Sequence, residues 1–365
     1  MVDIIMQMWY TVIVERRVVV MAYYDGTKLL SLKDINGKTP EIYMCTGNRT
    51  GGKTTYYNRL AVNRFLNKGQ KFCLVNRFVY ELGDSADKFF KDIGGLFFPG
   101  HKMTEKSRSK GLFKELFLDG IPCGYSIAIN SAENLKHCSH LLSDVDGMYF
   151  DEFQSESNHY CPNEVSKFIS IHTSIARGQG KQIRYVPVYM MSNAVSLLNP
   201  YFSALGVSSR LRADTRFLRG DGWVLEKAFV DTASTAQKES GFNRAFANNS
   251  YVAYSAENVY LNDNTAFVEK LSGTNRYIAT IKYNGKGYAI REYSNEGFLY
   301  VDNNPDESFG VKLVVTSSDH NTSFVMLKRN DMFLITLRNI FEHGCFRFKN
   351  LECKEAILAC LNYNV

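Results

Sequence analysis

Among eight cysteines no two are spaced C-x-x-C, and none falls into the ligand spacing of a structural zinc site. Cys45, Cys73, Cys123, Cys138, Cys161, Cys345, Cys353 and Cys360 therefore read as free thiols, mostly among apolar neighbours, in a reducing compartment. Long hydrophobic runs are missing too. The apolar stretch Val18–Tyr24 follows Glu15, Arg16 and Arg17 and is too short to span a bilayer. It also lacks the order of charge, apolar core and small-residue cleavage site that a signal peptide needs, so the chain is expected in the cytoplasm without a membrane partner. No internal repeat or low-complexity tract occurs. Charge of one sign is not in large excess: 43 Lys and Arg against 37 Asp and Glu give +6, which suits a polyanion partner without requiring one. With 365 residues, 45% of them hydrophobic, the chain can build one large or two smaller packed domains and is not disordered.

What is present divides into four stretches. Residues 1–40 read as an N-terminal extension, with Met21 opening a segment that is itself a candidate start. From residue 41 to 205, apolar runs alternate with helical patterns: strand Glu41–Thr46, helix Lys53–Asn67, strand Lys71–Asn76, helix Asp84–Ile93, hairpin Leu116–Ser126, strand Gly147–Phe150, helix Pro162–Ala176 and strand Ile183–Met191. Pro187 places that last strand at an edge or a bulge. Such alternation predicts an α/β domain with a mostly parallel sheet. Residues 206–250 are polar and basic (Arg210, Arg212, Arg216, Arg219, Lys227, Lys238, Arg244) and read as a linker or mobile subdomain. Residues 251–365 read as a smaller strand-rich α+β domain. Its strands are Tyr277–Tyr283, Gly287–Glu292, Gly297–Val301 and Lys312–Thr316, with a hairpin turn at Asn284-Gly285, and helical segments follow over Ser323–Glu342, where Lys328–Asp331 is a candidate break, and Cys353–Leu361.

The chemistry lies in the α/β part. Gly47-Asn48-Arg49-Thr50-Gly51-Gly52-Lys53-Thr54 matches G-x-x-x-x-G-K-[ST] and sits between a strand and a helix, as the phosphate-binding loop requires. The glycines let backbone N–H groups converge on phosphate oxygens at a helix N-terminus. Lys53 supplies a cation to the outer phosphates, the Thr54 hydroxyl is a ligand for Mg²⁺, and Thr55 continues the site. ATP and Mg²⁺ are the expected cofactors. Downstream, Met148-Tyr149-Phe150 ends in Asp151-Glu152, placing two carboxylates at the sheet edge where ligands bind in open α/β folds. Asp151 is assigned to Mg²⁺ through water, and Glu152 to the attacking water as general base. Ser192-Asn193 ends a third strand, where an amide reaches the γ-phosphate or serves as a turn residue. Arg177 is either an arginine finger for a neighbouring subunit's ATP or a solvated cation near a helix C-terminus, and Lys136 is a second candidate for that work. Arg49, unusual in such a loop, either adds a phosphate contact or fixes the loop through an acidic partner.

Phe150-Asp151-Glu152-Phe153 and the arginine in the loop resemble phage large-terminase ATPases. A narrower resemblance is carried by Tyr160-Cys161-Pro162-Asn163-Glu164-Val165-Ser166, Ser192-Asn193-Ala194-Val195-Ser196, Asn199-Pro200-Tyr201-Phe202, Phe267-Val268-Glu269-Lys270, Ile281-Lys282-Tyr283-Asn284-Gly285, Tyr300-Val301-Asp302 and Arg347-Phe348-Lys349-Asn350. These strings are similar, in the same order, to the DNA-encapsidation ATPases of small protein-primed tailed phages. The resemblance implies an ATP-driven motor of the ASCE class. It would work as a homo-oligomeric ring, pentameric in the family, at the portal vertex of a preformed capsid in the host cytoplasm. It would move double-stranded DNA through the portal, with a packaging RNA as a further possible partner. It also implies that Lys136 and Arg177 act in trans between subunits.

In larger terminases the second domain is a ribonuclease-H-type nuclease, whose chemistry needs several carboxylates around two metal ions. Asp231, Asp263, Asp302 and Asp306 do not recur at strand ends in that way, and a protein-primed genome of unit length leaves a motor nothing to cut. The expected domain is nuclease-like in fold without nuclease activity. Basic and aromatic residues (Lys282, Tyr283, Lys286, Arg291, Arg347, Lys349) are its candidate contacts for DNA, RNA or portal. The alternatives are a metal-dependent nuclease-ATPase and a helicase or repair-type DNA-dependent ATPase, although no stacking platform for single strands stands out.

Overall fold

The computed structural model describes residues 10–14, 17–21, 23–157, 159–178, 180, 182–196, 199–207, 210–211, 215–247, 249–257, 267–314, 319–326 and 331–362. A hairpin of β1 (Tyr10–Val14) and β2 (Arg17–Met21) and the helical turn α1 (Thr27–Ser31) come first. They are followed by β3 (Ile42–Gly47), α2 (Lys53–Lys68), β4 (Lys71–Asn76), α3 (Ser85–Phe97), β5 (Met103–Arg108), β6 (Phe113–Leu118) and β7 (Ile121–Ala128). Next are α4 (Ala132–His137), β8 (Val145–Asp151), α5 (Glu164–Ile175), β9 (Val188–Asn193), α6 (Pro200–Ala204), β10 (Phe217–Gly220), β11 (Trp223–Ala228), α7 (Asp231–Glu239), α8 (Gly241–Ala245) and α9 (Ser250–Glu257). The chain ends with β12 (Arg276–Tyr283), β13 (Lys286–Tyr293), β14 (Phe298–Asp302), β15 (Lys312–Val314), β16 (Val325–Met326), α10 (Met332–Glu342), β17 (Phe346–Phe348) and α11 (Leu351–Asn362). Among the described residues no helix is long and apolar enough to cross a membrane.

Two compact units result: residues 1–200 with 212–262, and residues 201–211 with 263–365. The first is built on a nine-stranded sheet in the order β10-β11-β3-β9-β8-β4-β7-β6-β5. From β11 to β7 every neighbouring pair is parallel, and β10, β6 and β5 are added antiparallel at the two edges. An aromatic ladder crosses its middle. Tyr43, Tyr189 and Tyr149 are direct partners on β3, β9 and β8. Their rings stack at 5.4 Å and 4.9 Å, and Tyr57 of α2 lies 5.8 Å from Tyr189. Each such pair adds about 0.5–1.5 kcal/mol beyond its buried area. Side chains alternate along a strand, so Asp151 shares the face of Tyr149, and Asn193 that of Tyr189. The same register sets Gly47 opposite Asn193 and Asp151 opposite Met191.

Several expectations are corrected. Residues 23–40 are not an appendage, because Tyr24, Leu29 and Leu32 are buried in the sheet's core. Residues 206–250 are not a linker. They contribute β10 and β11, and β11 pairs in parallel with the phosphate-loop strand from Trp223↔Ile42 to Ala228↔Gly47. Residues 251–257 belong with the first unit and residues 201–211 with the second, moving both proposed boundaries. The strand expected over Ile183–Met191 is β9, which begins one residue past Pro187, and it is central, between β3 and β8. The proline therefore precedes the ladder and costs it no hydrogen bond. Of the helical segment expected over Ser323–Glu342, the part after the candidate break is α10, which starts at Met332, whereas Val325–Met326 before it is a strand; 327–330 lie outside the described residues.

The second unit holds a six-stranded sheet, β16-β15-β12-β13-β14-β17. The β12–β13–β14 meander is antiparallel, and β15, β16 and β17 are added in parallel. Asn284 and Gly285, both at positive φ, make the β12–β13 turn as the dipeptide predicts. Ile281, Val301, Phe346 and Phe348 pack with Leu334, Leu337 and Ile357 of α10 and α11.

Candidate functional site

The phosphate loop is shaped by its neighbours. A Cβ on Gly47 would meet the Ala228 carbonyl oxygen at 2.6 Å, so glycine alone lets β11 run this close. Gly52 takes φ 88°, where a side chain is strained, and delivers the chain into α2. Asn48 is buried and clasps the segment after β11. Its Nδ2 donates to the Val230 carbonyl at 3.0 Å, and its Oδ1 accepts from the Val230 N–H at 3.0 Å. The Tyr24 N–H donates to the Gly51 carbonyl at 2.8 Å, binding the segment before β3 to the same loop. The buried Lys53 ammonium donates to the Asn48 carbonyl at 2.7 Å. Burial lowers its pKa, opposed by the thiol of Cys45 and the carboxyl of Asp151.

The ends of β3, β8 and β9 bring the remaining groups together. The Thr54 hydroxyl hydrogen-bonds the Asp151 carboxyl, whose pKa burial pushes up to about 6 against the pull of Thr54 and Lys53. The Thr54 and Asp151 oxygens are hard donors that suit Mg²⁺, and the Lys53 cation suits the polyphosphate such an ion would accompany. Glu152 follows at φ 54°, a left-handed conformation that costs a non-glycine residue on the order of 1–3 kcal/mol and is over-determined by its surroundings. Its N–H donates to Asp151 Oδ1 at 2.9 Å. A cavity of about 300 Å³ lies beside it, bordered by Arg49, Arg77, Glu152, Gln154, Glu156 and Asn193. A second, of about 550 Å³, opens over Arg49, Thr50, Thr54 and Asn193.

Sequence reasoning missed several of these groups. Arg77, just past β4, donates to the carbonyls of Glu152 and Phe153, the latter at 2.9 Å, and pairs with Glu164 at 2.9 Å. Both members of that pair are buried, and Glu164 also accepts the Cys161 N–H. Gln154 accepts from the Val195 and Ser196 N–H groups at 3.1 and 2.9 Å, joining the acidic strand's loop to that after β9. Glu156 pairs with Arg49, whose guanidinium also lies 5.3 Å from the Tyr251 ring; Tyr251 donates to Glu156 at 3.2 Å, and Asn193 does so at 3.5 Å. Of the two alternatives for Arg49, this is the acidic partner. The signals were faint: one arginine at a strand end, and a glutamate four residues beyond the Asp-Glu pair.

Two expected residues are not brought to this loop. Arg177 is exposed, just past α5, where the Arg184 N–H reaches the Ala176 carbonyl and the Arg184 guanidinium the Val145 carbonyl at the start of β8. That is the opposite edge of the sheet. Lys136 is exposed in the last turn of α4. Neither borders the two cavities.

The carboxylates weighed for a nuclease are scattered. Asp231 is in α7 of the first unit, and Asp263 lies outside the described residues. Asp302 is buried, its Oδ2 accepting from Arg291 Nε at 2.6 Å and its Oδ1 from the Asn304 N–H at 2.7 Å. Asp306 accepts from Ser308. Among the described residues no three His, Cys, Asp or Glu cluster to hold a metal ion.

Residues 20–362 match the podovirus DNA encapsidation protein (Gp16) family. The chain is 27% identical over 332 residues to the DNA packaging protein of Bacillus phage phi29, covering 90% of this chain and 93% of that protein. It is 25% identical over 310 residues to the DNA packaging protein of Bacillus phage B103, covering 83% and 91%. A chain of the bacteriophage Phi-29 viral genome packaging motor assembly shares the fold, with a TM-score of 0.66 at 24% identity over 94% of this chain and 99% of that one.

Proposed function

The chain belongs to the podovirus DNA encapsidation protein (Gp16) family, and from that premise we propose that it is the ATPase that drives double-stranded DNA through the portal into a preformed capsid. One observation carries the ATPase reading: the ends of β3, β8 and β9 bring Lys53, Thr54, Asp151, Glu152 and Asn193 to a single edge of the sheet. ATP binds with its phosphates along Gly47–Thr54, against backbone N–H groups and Lys53. Mg²⁺ would be held by Thr54 and, through water, by Asp151, and supplies charge neutralisation at the outer phosphates. Glu152 takes the proton of the attacking water, and Asn193 reports the γ-phosphate to β9.

Arg177 and Lys136, exposed and away from their own loop, act on the ATP of a neighbouring subunit in a homo-oligomeric ring, which we take to be pentameric. The ring stands at the portal vertex in the host cytoplasm, with a packaging RNA as a further partner. It grips DNA through phosphates, so binding falls steeply with salt. The second unit carries no nuclease activity; the ion pair between Asp302 and Arg291 occupies the strand-end carboxylate that metal chemistry would need.

Purified protein assayed with and without duplex DNA tests the motor reading, the expected outcome being ATP hydrolysis stimulated by DNA. Lys53→Ala should abolish turnover and ATP binding. Glu152→Gln should abolish turnover and keep ATP bound. DNA-independent hydrolysis, or Glu152→Gln turning over normally, overturns the assignment.

A further inference from the structure

We infer that Phe242 and Phe246 form the base-binding wall of the nucleotide site, stacking on the purine whose phosphates lie in the Gly47–Thr54 loop. The inference rests on the ATPase reading above and adds to it what the phosphate motif leaves open, namely where the base goes.

The larger of the two cavities is lined by Arg49, Thr50, Thr54 and Asn193 and also by Phe242 and Phe246. At about 550 Å³ it has the size of a small-molecule site and exceeds what a phosphate chain alone fills. The two rings are not core residues. Phe242 is 74% and Phe246 53% exposed, although their centroids are only 5.1 Å apart. An aromatic pair bordering a cavity that also carries polar groups is the feature that sequence-tolerant base stacking uses, since every base has a π-face.

The wall is also held at a fixed place relative to the phosphate loop. Asn243, which lies between Phe242 and Phe246 in the sequence, donates to the Gln237 backbone and side-chain oxygens at 2.8 and 2.7 Å. Gln237 donates to the Thr50 hydroxyl at the loop tip at 3.2 Å. On the other side the Arg49 N–H donates to the Ser255 carbonyl of α9 at 3.0 Å. Two anchors thus join α7–α9 to the residues that surround the phosphates. A ligand that binds both ends bridges elements whose spacing is already set, so it pays little to order them.

The test is titration calorimetry of the full chain in the Glu152→Gln background, with ATP and with inorganic tripolyphosphate as separate probes. Replacing both rings (Phe242→Ala with Phe246→Ala) should weaken ATP at least about tenfold, while tripolyphosphate changes less than about twofold. Phe242→Tyr with Phe246→Tyr, which keeps the π-faces, should hold ATP within about threefold of the parent. Unchanged ATP affinity in the alanine pair, an equal loss for both probes, or a tyrosine pair as weak as the alanine pair overturns the inference. If the parent binds neither probe, the ATPase reading itself fails. If the parent and the alanine pair bind ATP alike, only the base wall fails.

Discussion

At the scale of single residues, the proposed site holds a carboxyl whose charge is opposed by burial. Burial lifts the Asp151 carboxyl from 3.8 to about 6, so the folded chain holds that proton more tightly than the unfolded chain does. Stability from this residue is therefore lost as pH rises from about 4 to about 6 and stays lost above. Asp151→Asn should match wild type in denaturant titrations near about pH 4 and be more stable by about 2–3 kcal/mol near about pH 8. It should not hydrolyse ATP. A stability difference that does not grow with pH would refute the desolvation account. Arg77 and Glu164 are a buried pair whose charges compensate each other. Glu164→Ala strands a buried guanidinium and should cost about 3–5 kcal/mol, and Arg77→Ala with Glu164→Ala should cost less than the two singles summed.

How far the sequence could be read also divides at this scale. The loop Gly47–Thr54 was legible because backbone groups bind phosphate, so the glycine spacing alone states the geometry. Arg77, Gln154, Glu156 and Tyr251 were not. Their roles depend on which strand ends the fold brings together, and no local pattern records that. Arg177 and Lys136 were singled out by their places after the Pro162 helix and before the acidic strand, the family resemblance added their action in trans, and the chain's own fold sets them away from its loop.

At the scale of elements, alternation exposed the strands that run along the chain, and composition hid those that return to it. The strand β11 lies in a polar stretch and carries Glu226 and Lys227, so its apolar residues do not stand out. Pro187 made β9 look peripheral, although the proline lies just outside the ladder. The central register is the element-scale prediction. Tyr189→Ala removes the middle ring of the Tyr43–Tyr189–Tyr149 stack and should cost about 3–5 kcal/mol in thermal or chemical denaturation. Tyr189→Phe should recover most of it. Gly47→Ala should also lower the melting temperature, because its Cβ would sit 2.6 Å from the Ala228 carbonyl oxygen, a backbone atom that cannot rotate away.

At the scale of the whole molecule, the trans assignment gives a sharper test than any single mutant. Arg177→Ala subunits should fail to hydrolyse ATP as a pure ring, and mixing with wild type should restore turnover in subunits whose neighbour carries the arginine. Normal hydrolysis by the pure Arg177→Ala ring would remove that role. The second unit makes a separate claim: incubation with plasmid and Mn²⁺ should leave the DNA intact, and cleavage abolished by Asp302→Ala would reverse it.

The Asn48–Val230 clasp has a consequence in time. Ribosomes emit the chain from its N-terminus, so every signature residue of the ATPase leaves the tunnel before β11 and Val230 do. Until they arrive, β3 lacks one of its two neighbours and Asn48 has nothing to hold. Contacts this distant in sequence close late, after their loop entropy has been met. A nascent chain can thus display the entire phosphate motif and still have no place for ATP. A fragment of residues 1–205 should accordingly fail to bind ATP, whereas residues 1–262 should bind it. The nucleotide site is then a late product of synthesis, in place only after the sheet that carries it is nearly complete.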